Sequence, residues 1–244
     1  MKKYRKVLVI PDTQVKPGVD TRHLSAISNY IEEKRPDTIV HLGDHYDLPS
    51  LSSYSLAGEK EGKRYSDDVY AGLMGMRRLT AFRRSNKSYR PGMHFLTGNH
   101  EQRVSRTIDA NPSLIGSIGI KDFELETFGW KAHKFLEIFE QDGVEYSHYF
   151  VSGPMGRPVS SAAAMLRERQ GSCVQGHVQK VDIAIHPKTQ KTAIMAGICY
   201  THSEDYLSVQ GNQTKRQIVV LHEVHKGRFD PMFVSLDYLL RQYA

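Results

Sequence analysis

The stretch Thr38-Ile39-Val40-His41-Leu42-Gly43-Asp44-His45-Tyr46-Asp47 decides the fold class. Thr38–Leu42 is a short run rich in β-branched and apolar residues, which reads as a buried strand. Gly43-Asp44 ends it with a pair suited to a sharp turn. Upstream, Val7–Ile10 is a similar run, ended by Pro11-Asp12. Between the two, Leu24, Ile27, Tyr30 and Ile31 recur at helical spacing, which predicts a helix over Thr21–Lys34 with Asp20 as its cap and Pro36 as its stop. Strand, helix, strand in that order predicts a parallel unit with a right-handed crossover. Met93–Thr97 repeats the strand pattern and ends in Gly98-Asn99.

Outward from this core, Leu48–Ser66 is polar and irregular and is expected to be an inserted loop. Helices are expected over Asp67–Arg84, Glu101–Asp109 and Pro112–Phe128. The second half changes character. Phe135–Phe139 and Val144–Phe150 flank Asp142-Gly143, a strong hairpin signal. Asp182–Ile185 and Thr192–Ala196 flank Pro187–Gln190, Gln217–Glu223 pairs with Met232–Ser235, and a last helix is expected near Leu236–Gln242. With no linker between the halves, the expectation is one domain over residues 1–244, two layers of a single sandwich, with the inserted loop and a basic helix at about 48–90.

Hydrophobic residues make up 39% and charged residues 25% of the 244 residues, ordinary values for a globular protein. No apolar run approaches the roughly 18 residues of a transmembrane helix. After the basic start only Val7–Ile10 follows before Pro11, too short for a signal-peptide core of roughly 7–15 residues. Cys173 and Cys199 show neither metal nor redox spacing. A cytoplasmic location without a membrane partner is therefore expected. The net charge of +6 leans toward a polyanionic partner. Arg77, Arg78, Arg83, Arg84, Lys87 and Arg90 follow one another with no acidic residue between them. They form either a nucleic-acid contact or simply a solvated helix face.

The chemistry sits at strand ends. Asp12, Asp44 and Asn99 each follow a predicted parallel strand, and the ends of such strands line one edge of a sheet, where these folds build their sites. His148 and His177 follow predicted strands in the second half. Two Asp, one Asn and two His make a mixed nitrogen and oxygen set suited to divalent metals. Singly, each residue has a bland explanation, a turn former or a satisfied histidine among the 12 in the chain. Jointly, Gly-Asp-x-x-Asp, Gly-Asn-His-Glu, a strand-borne His and Gly-His-x-Gln in that order do not.

These motifs resemble those of the calcineurin-like metallophosphoesterase superfamily, over residues 7 to about 180. The resemblance implies an α/β fold, a four-layer α/β/β/α sandwich, and a metal-dependent hydrolase of phosphate esters with two divalent ions; oxygen ligands at the first site would favour Mn²⁺, Mg²⁺ or Ca²⁺ over Zn²⁺, with Mn²⁺ or Mg²⁺ expected. It implies that Asp44 bridges the two ions, that Asn99, His148 and His177 complete the second site, and that Asp12 serves the first. It gives His100 the part of general acid and phosphate contact, oriented by Glu101 or Asp47. Asp47 could equally be structural.

Gln14 and Gln179 stand where the superfamily pattern has histidines, both at the first site. Either their amide oxygens still ligate, giving a weak, nearly all-oxygen site for a hard metal, or the first site is empty and one tight metal suffices. The pairing of the replacements around a single ion favours the first. The leading substrate class is nucleic acid, with Arg77, Arg78 and Arg84 as substrate contacts beside Asn99 and His100, and Tyr46, Tyr54 and Tyr65 able to stack on bases. A phosphoprotein phosphatase is the alternative. It is weakened by Asp47-Leu48-Pro49 where phosphatases of this superfamily carry Asp-Arg-Gly. Cyclic nucleotides are a third substrate class. A non-catalytic nucleic-acid-binding module on the same fold is the alternative of a different kind. His202, after Cys199-Tyr200-Thr201, is an extra candidate ligand. Walker-type and Gly-x-Gly-x-x-Gly loops are absent, so nucleotide-driven chemistry is not expected.

Overall fold

The computed structural model describes residues 4–53, 57–204 and 210–244. In chain order its elements are β1 (Arg5–Ile10), α1 (Arg22–Lys34), β2 (Thr38–His41), α2 (Ala57–Lys60), α3 (Tyr65–Leu79), α4 (Phe82–Ser85), β3 (Gly92–Leu96), α5 (Gln102–Ala110), β4 (Lys131–His133) and β5 (Phe139–Gln141). There follow β6 (Val144–Ser147), β7 (Val151–Ser152), β8 (Arg157–Pro158), α6 (Ala162–Arg169), β9 (Ser172–Gln175), β10 (Val181–Ile185), β11 (Thr192–Ala196), β12 (Gln217–His225), β13 (Arg228–Ser235) and α7 (Leu236–Tyr243).

One sheet has the order β13-β12-β1-β2-β3-β4 and the other β10-β11-β9-β6-β5. β1, β2, β3 and β4 run parallel, with Val7 opposite Thr38 and Thr38 opposite Gly92. In the second sheet β9 lies parallel to both β6 and β11. The period of two in each strand sorts its side chains between two faces. Leu8, Ile10, Ile39, Met93 and Phe95 pack with Leu24, Ile27 and Ile31 of α1, Met76 and Leu79 of α3, and Leu236 and Leu239 of α7. Val7, Val9, Val40, Leu42 and Leu96 meet Val144, Tyr146, Val174, Ile194 and Ala196 across the two sheets. Ala162 and Met165 of α6 cover Cys173, Ala193 and Met195 on the far side. These three apolar interfaces stack helices, sheet, sheet and helix. Each fully buried Val, Leu or Ile contributes about 1.5–3 kcal/mol of transfer free energy.

Local structure departs from the sequence reading in several places, one being the loop expected over Leu48–Ser66, which carries a 3₁₀ turn at Pro49–Leu51, α2 and the start of α3. The helix expected over Asp67–Arg84 ends at Leu79, where Thr80 leaves helical geometry at φ −98° and ψ 13°, and a separate turn, α4, follows. The helix expected over Pro112–Phe128 is instead two 3₁₀ turns, Pro112–Leu114 and Ile120–Phe123. Gly116, at φ 86°, interrupts the run. The strand expected at Phe135–Phe139 starts only at Phe139, since Leu136 is left-handed at φ 63°. Strand β4 and helix α6 were not anticipated. Ser161 caps α6 by accepting from the Ala164 N–H at 3.2 Å. Asp20 does serve the start of α1, accepting from the Arg22 N–H at 2.9 Å. Tyr54 lies outside the described residues. Among those described, no helix is long and apolar enough to cross a membrane.

Candidate metal centre

The parallel strands deliver Asp12, Asp44 and Asn99 to one edge of the first sheet, and β6 and β9 deliver His148 and His177 from the second. Two glycines let the loops come this close. A Cβ on Gly43 (φ 95°) would stand 2.3 Å from the Leu96 carbonyl oxygen, and one on Gly98 would stand 2.1 Å from Asp44 Oδ1. Asp44 is itself left-handed at φ 52°. Its carbonyl accepts from Thr13 N (3.1 Å) and Gln14 N (2.8 Å), tying the β2 loop to the β1 loop. Glu101, fully buried, accepts from four backbone N–H groups: His45 (2.7 Å), Gly98 (2.8 Å), Asp44 and Tyr46 (both 2.9 Å). Its carboxylate therefore fixes the loops, and it is Asp47 that orients His100.

Asp44, His148 and His177 offer ligand atoms that all lie within 4.8 Å of one another. His148 Nδ1–H donates to the Leu42 carbonyl at 2.7 Å, which leaves Nε2 as the ligating nitrogen. That Nε2 is 2.8 Å from Asn99 Oδ1 and 3.4 Å from Asp44 Oδ2. An arrangement of three such donors at these distances suits a cation. Burial opposes charge on His148, yet the Asp44 carboxylate prevails and lifts its pKa to about 9. Burial likewise opposes ionisation of Asp44, while His100 and His148 hold its carboxyl well below the usual range. Burial, helped by His148, pushes His177 down to about 4, so its imidazole is neutral and ready to ligate at pH 7.

Asp12 stands outside that group but is joined to it. Its Oδ1 accepts from the His177 N–H at 3.1 Å, its carbonyl accepts from Cys199 N at 2.7 Å, and its Oδ2 is buried with no hydrogen-bond partner. Burial and the neighbouring Asp44 carboxylate raise its pKa to about 7. An orphaned, repelled carboxylate oxygen beside a second carboxylate fits a divalent cation. Gln14 is fully buried next to Asp12, and Gln179 Oε1 accepts from the Tyr200 hydroxyl at 3.4 Å.

His100 Nδ1–H donates to Asp47 Oδ1 at 2.6 Å, and its Nε2 lies 3.8 Å from Asp44 Oδ2. Burial disfavours the Asp47 carboxylate, but His100, Lys16 and Arg103 outweigh it and bring its pKa to about 2. Two members of this constellation escaped the sequence reading. Lys16 bridges Asp47 Oδ2 (3.2 Å) and Glu204 Oε2 (2.6 Å). Arg103 Nη1 donates to the Asp47 carbonyl at 2.6 Å, and its Nη2 lies 3.3 Å from His100 Nε2. Arg103 could have been found as the residue one helical turn past Asn99.

Other expected residues fall elsewhere. His202 pairs with Glu204 at 2.7 Å and stacks on Tyr200 rather than joining the three ligands. Tyr46 is fully buried and stacked on Phe123 at 4.1 Å, so its ring cannot stack on bases as expected, while Tyr65 is half-buried and donates its hydroxyl to Asp122 at 2.8 Å. Arg77, Arg78 and Arg84 lie at the last turn of α3 and on α4. There Arg83 packs on Met93 at the start of β3 and Ser85 reaches Glu32 near the end of α1. Arg83 and Ser85 thus stand near the amino end of β3 and the carboxyl end of α1, whereas Asp44 and Asn99 follow the carboxyl ends of β2 and β3. α3 runs back against the strands, so its basic end points away from the loops that carry Asp44 and Asn99.

The gene 54 protein of Mycobacterium phage L5 is 39% identical over 57 residues, which make up 23% of this chain and 22% of that protein. The match thus spans under a quarter of the phage protein's length. Among solved structures, a dimetal phosphatase from Danio rerio shares 11% identity over 96% of this chain and 100% of its own, with a TM-score of 0.47. The E. coli phosphoesterase Yfce shares 10% over 94% and 100%, with a TM-score of 0.44. The family profile described as calcineurin-like phosphoesterase matches residues 5–228. That span takes in every strand-end residue from Asp12 to Gln179, and the chain belongs to the calcineurin-like phosphoesterase family.

Proposed function

We propose that the chain hydrolyses phosphodiesters in nucleic acid with the help of divalent metal. The observation that carries this reading is the convergence of Asp44, Asn99, His148 and His177 beside the His100–Asp47 pair. Those four side chains would hold one ion, and Asp12, Gln14, Asp44 and Gln179 the other. The oxygen-rich character of the latter set favours Mn²⁺ or Mg²⁺ over Zn²⁺. Bound divalent metal supplies Lewis acidity, acidifying water and drawing charge from phosphoryl oxygens. The protein's own part is proton delivery. Asp47 holds His100 by Nδ1, so that Nε2 presents the proton to the departing oxygen.

The preference for nucleic acid rests on charge and its placement. Around the basic end of α3 lies a cavity of about 510 Å³ lined by Arg77, Thr80, Arg83, Arg84, Thr127 and Phe128. Arg84 donates to the Arg77 carbonyl at 3.3 Å, and burial together with Arg90 lowers the Arg83 pKa. A substrate that profits from this cavity and from the distant centre must be an extended polyanion. The two free cysteines are both buried, which fits a reducing compartment, and we place the protein in the cytoplasm.

The test is a Mn²⁺-dependent activity panel on single-stranded DNA, RNA, a phosphopeptide and a cyclic nucleotide. Turnover of a polymeric substrate supports the reading. Turnover of the phosphopeptide alone would make the chain a phosphatase, and salt-dependent binding without turnover would make it a binding module.

A further inference from the structure

We propose that Arg103 is the phosphate-gripping residue of this centre, donating through Nη2 to a non-bridging oxygen of the scissile phosphate; this rests on the hydrolase reading above. Arg103 sits on the first turn of α5, directly after the loop that carries Asn99 and His100. Its side chain is only 12% exposed. Nη1 is anchored on the Asp47 carbonyl at 2.6 Å and the Leu48 carbonyl at 3.3 Å. The anchor aims the other arm of the fork, and Nη2 ends 3.3 Å from His100 Nε2.

From there the polar atoms continue in short steps. His100 Nε2 is 3.8 Å from Asp44 Oδ2, which is 3.4 Å from His148 Nε2. The guanidinium thus closes the row that begins at the metal-ligating nitrogen, and a tetrahedral oxyanion placed along that row lies within reach of both Nη2 and His100 Nε2.

Charge agrees with geometry. The nearest carboxylate oxygen to Arg103, Asp47 Oδ1 at 3.6 Å, is already held by His100 Nδ1 at 2.6 Å, and Asp47 Oδ2 faces Lys16 at 3.2 Å. Lys16 is shared between Asp47 and Glu204 and His100 between Asp47 and Asp44, whereas Arg103 has its nearest carboxylate oxygen 3.6 Å away, and a cation so weakly paired suits a phosphate. Position 48, immediately after Asp47, is a buried leucine at φ 53°, so the guanidinium reaches this spot from α5 instead. A fork anchored by one arm and presenting the other has lost its rotamer freedom before the ligand arrives.

The experiment is calorimetric titration of the full-length, Mn²⁺-loaded protein with inorganic phosphate, for wild type, Arg103→Met, Arg103→Gln and Arg103→Lys. Loss of one charged hydrogen bond predicts roughly 10- to 100-fold weaker phosphate binding in Arg103→Met and Arg103→Gln, with Arg103→Lys recovering part of it. Mn²⁺ affinity is expected to stay at the wild-type value in all three, while the melting temperature falls in Arg103→Met and Arg103→Gln with the lost anchor on the Asp47 and Leu48 carbonyls. Unchanged phosphate affinity in Arg103→Gln overturns the proposal. So does loss of Mn²⁺ affinity in step with phosphate affinity, which would mark Arg103 as a structural tie for the Asp47–Leu48 turn. A wild type that binds Mn²⁺ but no phosphate overturns the hydrolase reading itself.

Discussion

Asp47→Asn is the substitution whose consequences the structure predicts most fully. The Asp47 carboxylate receives His100 Nδ1–H at 2.6 Å and faces Lys16 at 3.2 Å and Arg103 at 3.6 Å. It is 4% exposed. Burial would raise its pKa, but the His100 hydrogen bond and the cations bring it from 3.8 to about 2. That displacement corresponds to roughly 2.5 kcal/mol of favourable coupling in the folded protein. Because the folded pKa is depressed, the coupling is fully present above about pH 4 and is lost as pH falls toward 2. An amide keeps the shape and removes the charge, so Asp47→Asn is expected to cost about 2 kcal/mol of stability at pH 7, read from urea unfolding. Its effect on catalysis depends on the leaving group. A dinucleotide, whose alkoxide leaves poorly, needs the proton that His100 delivers, whereas bis-p-nitrophenyl phosphate hardly does. The kcat on the dinucleotide is expected to fall at least about tenfold more than on the aryl diester, within the usual 10²–10⁴ range of general acid catalysis. Equal losses on the two substrates would refute the role given to the His100–Asp47 pair.

Three further outcomes are expected. Gly98→Ala puts a Cβ 2.1 Å from Asp44 Oδ1 and 2.5 Å from Asp44 N; it should displace Asp44, weaken Mn²⁺ binding more than tenfold by calorimetry, and lower the melting temperature. The double variant Arg77→Gln with Arg84→Gln, being remote from the centre, should leave bis-p-nitrophenyl phosphate kinetics unchanged while raising KM for long single strands and flattening its salt dependence. His23 is buried on α1, and burial brings its pKa to about 4. Between about pH 6.5 and 4 the unfolded chain takes up a proton there that the folded chain refuses, so stability falls by roughly 3 kcal/mol as pH drops through that window. His23→Leu should therefore shrink the difference in unfolding free energy between pH 7 and pH 4 by up to that amount.

The sequence exposes what is local. Gly43-Asp44 and Gly98-Asn99 are readable because a turn that brings backbone against a carboxylate demands glycine there, and the order of parallel strands puts Asp12, Asp44 and Asn99 on one edge, while His148 and His177 show only as polar residues that follow strands. What depends on distant contacts is silent. Lys16 and Glu204 are 188 positions apart and meet at Asp47, and no spacing rule connects them. Glu101 looks like a partner for its neighbour His100, yet folding hands it four backbone N–H groups from two loops, which outcompete a single imidazole. Helix α6 hides because its eight residues bury only Ala162 and Met165, too few for a periodic signal. The position of the basic cluster, by contrast, was recoverable. A crossover helix must run antiparallel to its strands, so its C-terminal arginines belong at the far edge.

Diffraction at the manganese absorption edge from crystals grown with Mn²⁺ addresses the whole account at its root. An anomalous peak bonded to Asp44, Asn99, His148 and His177 is the predicted result. Full Mn²⁺ occupancy elsewhere, with no peak in contact with those four side chains, would contradict it.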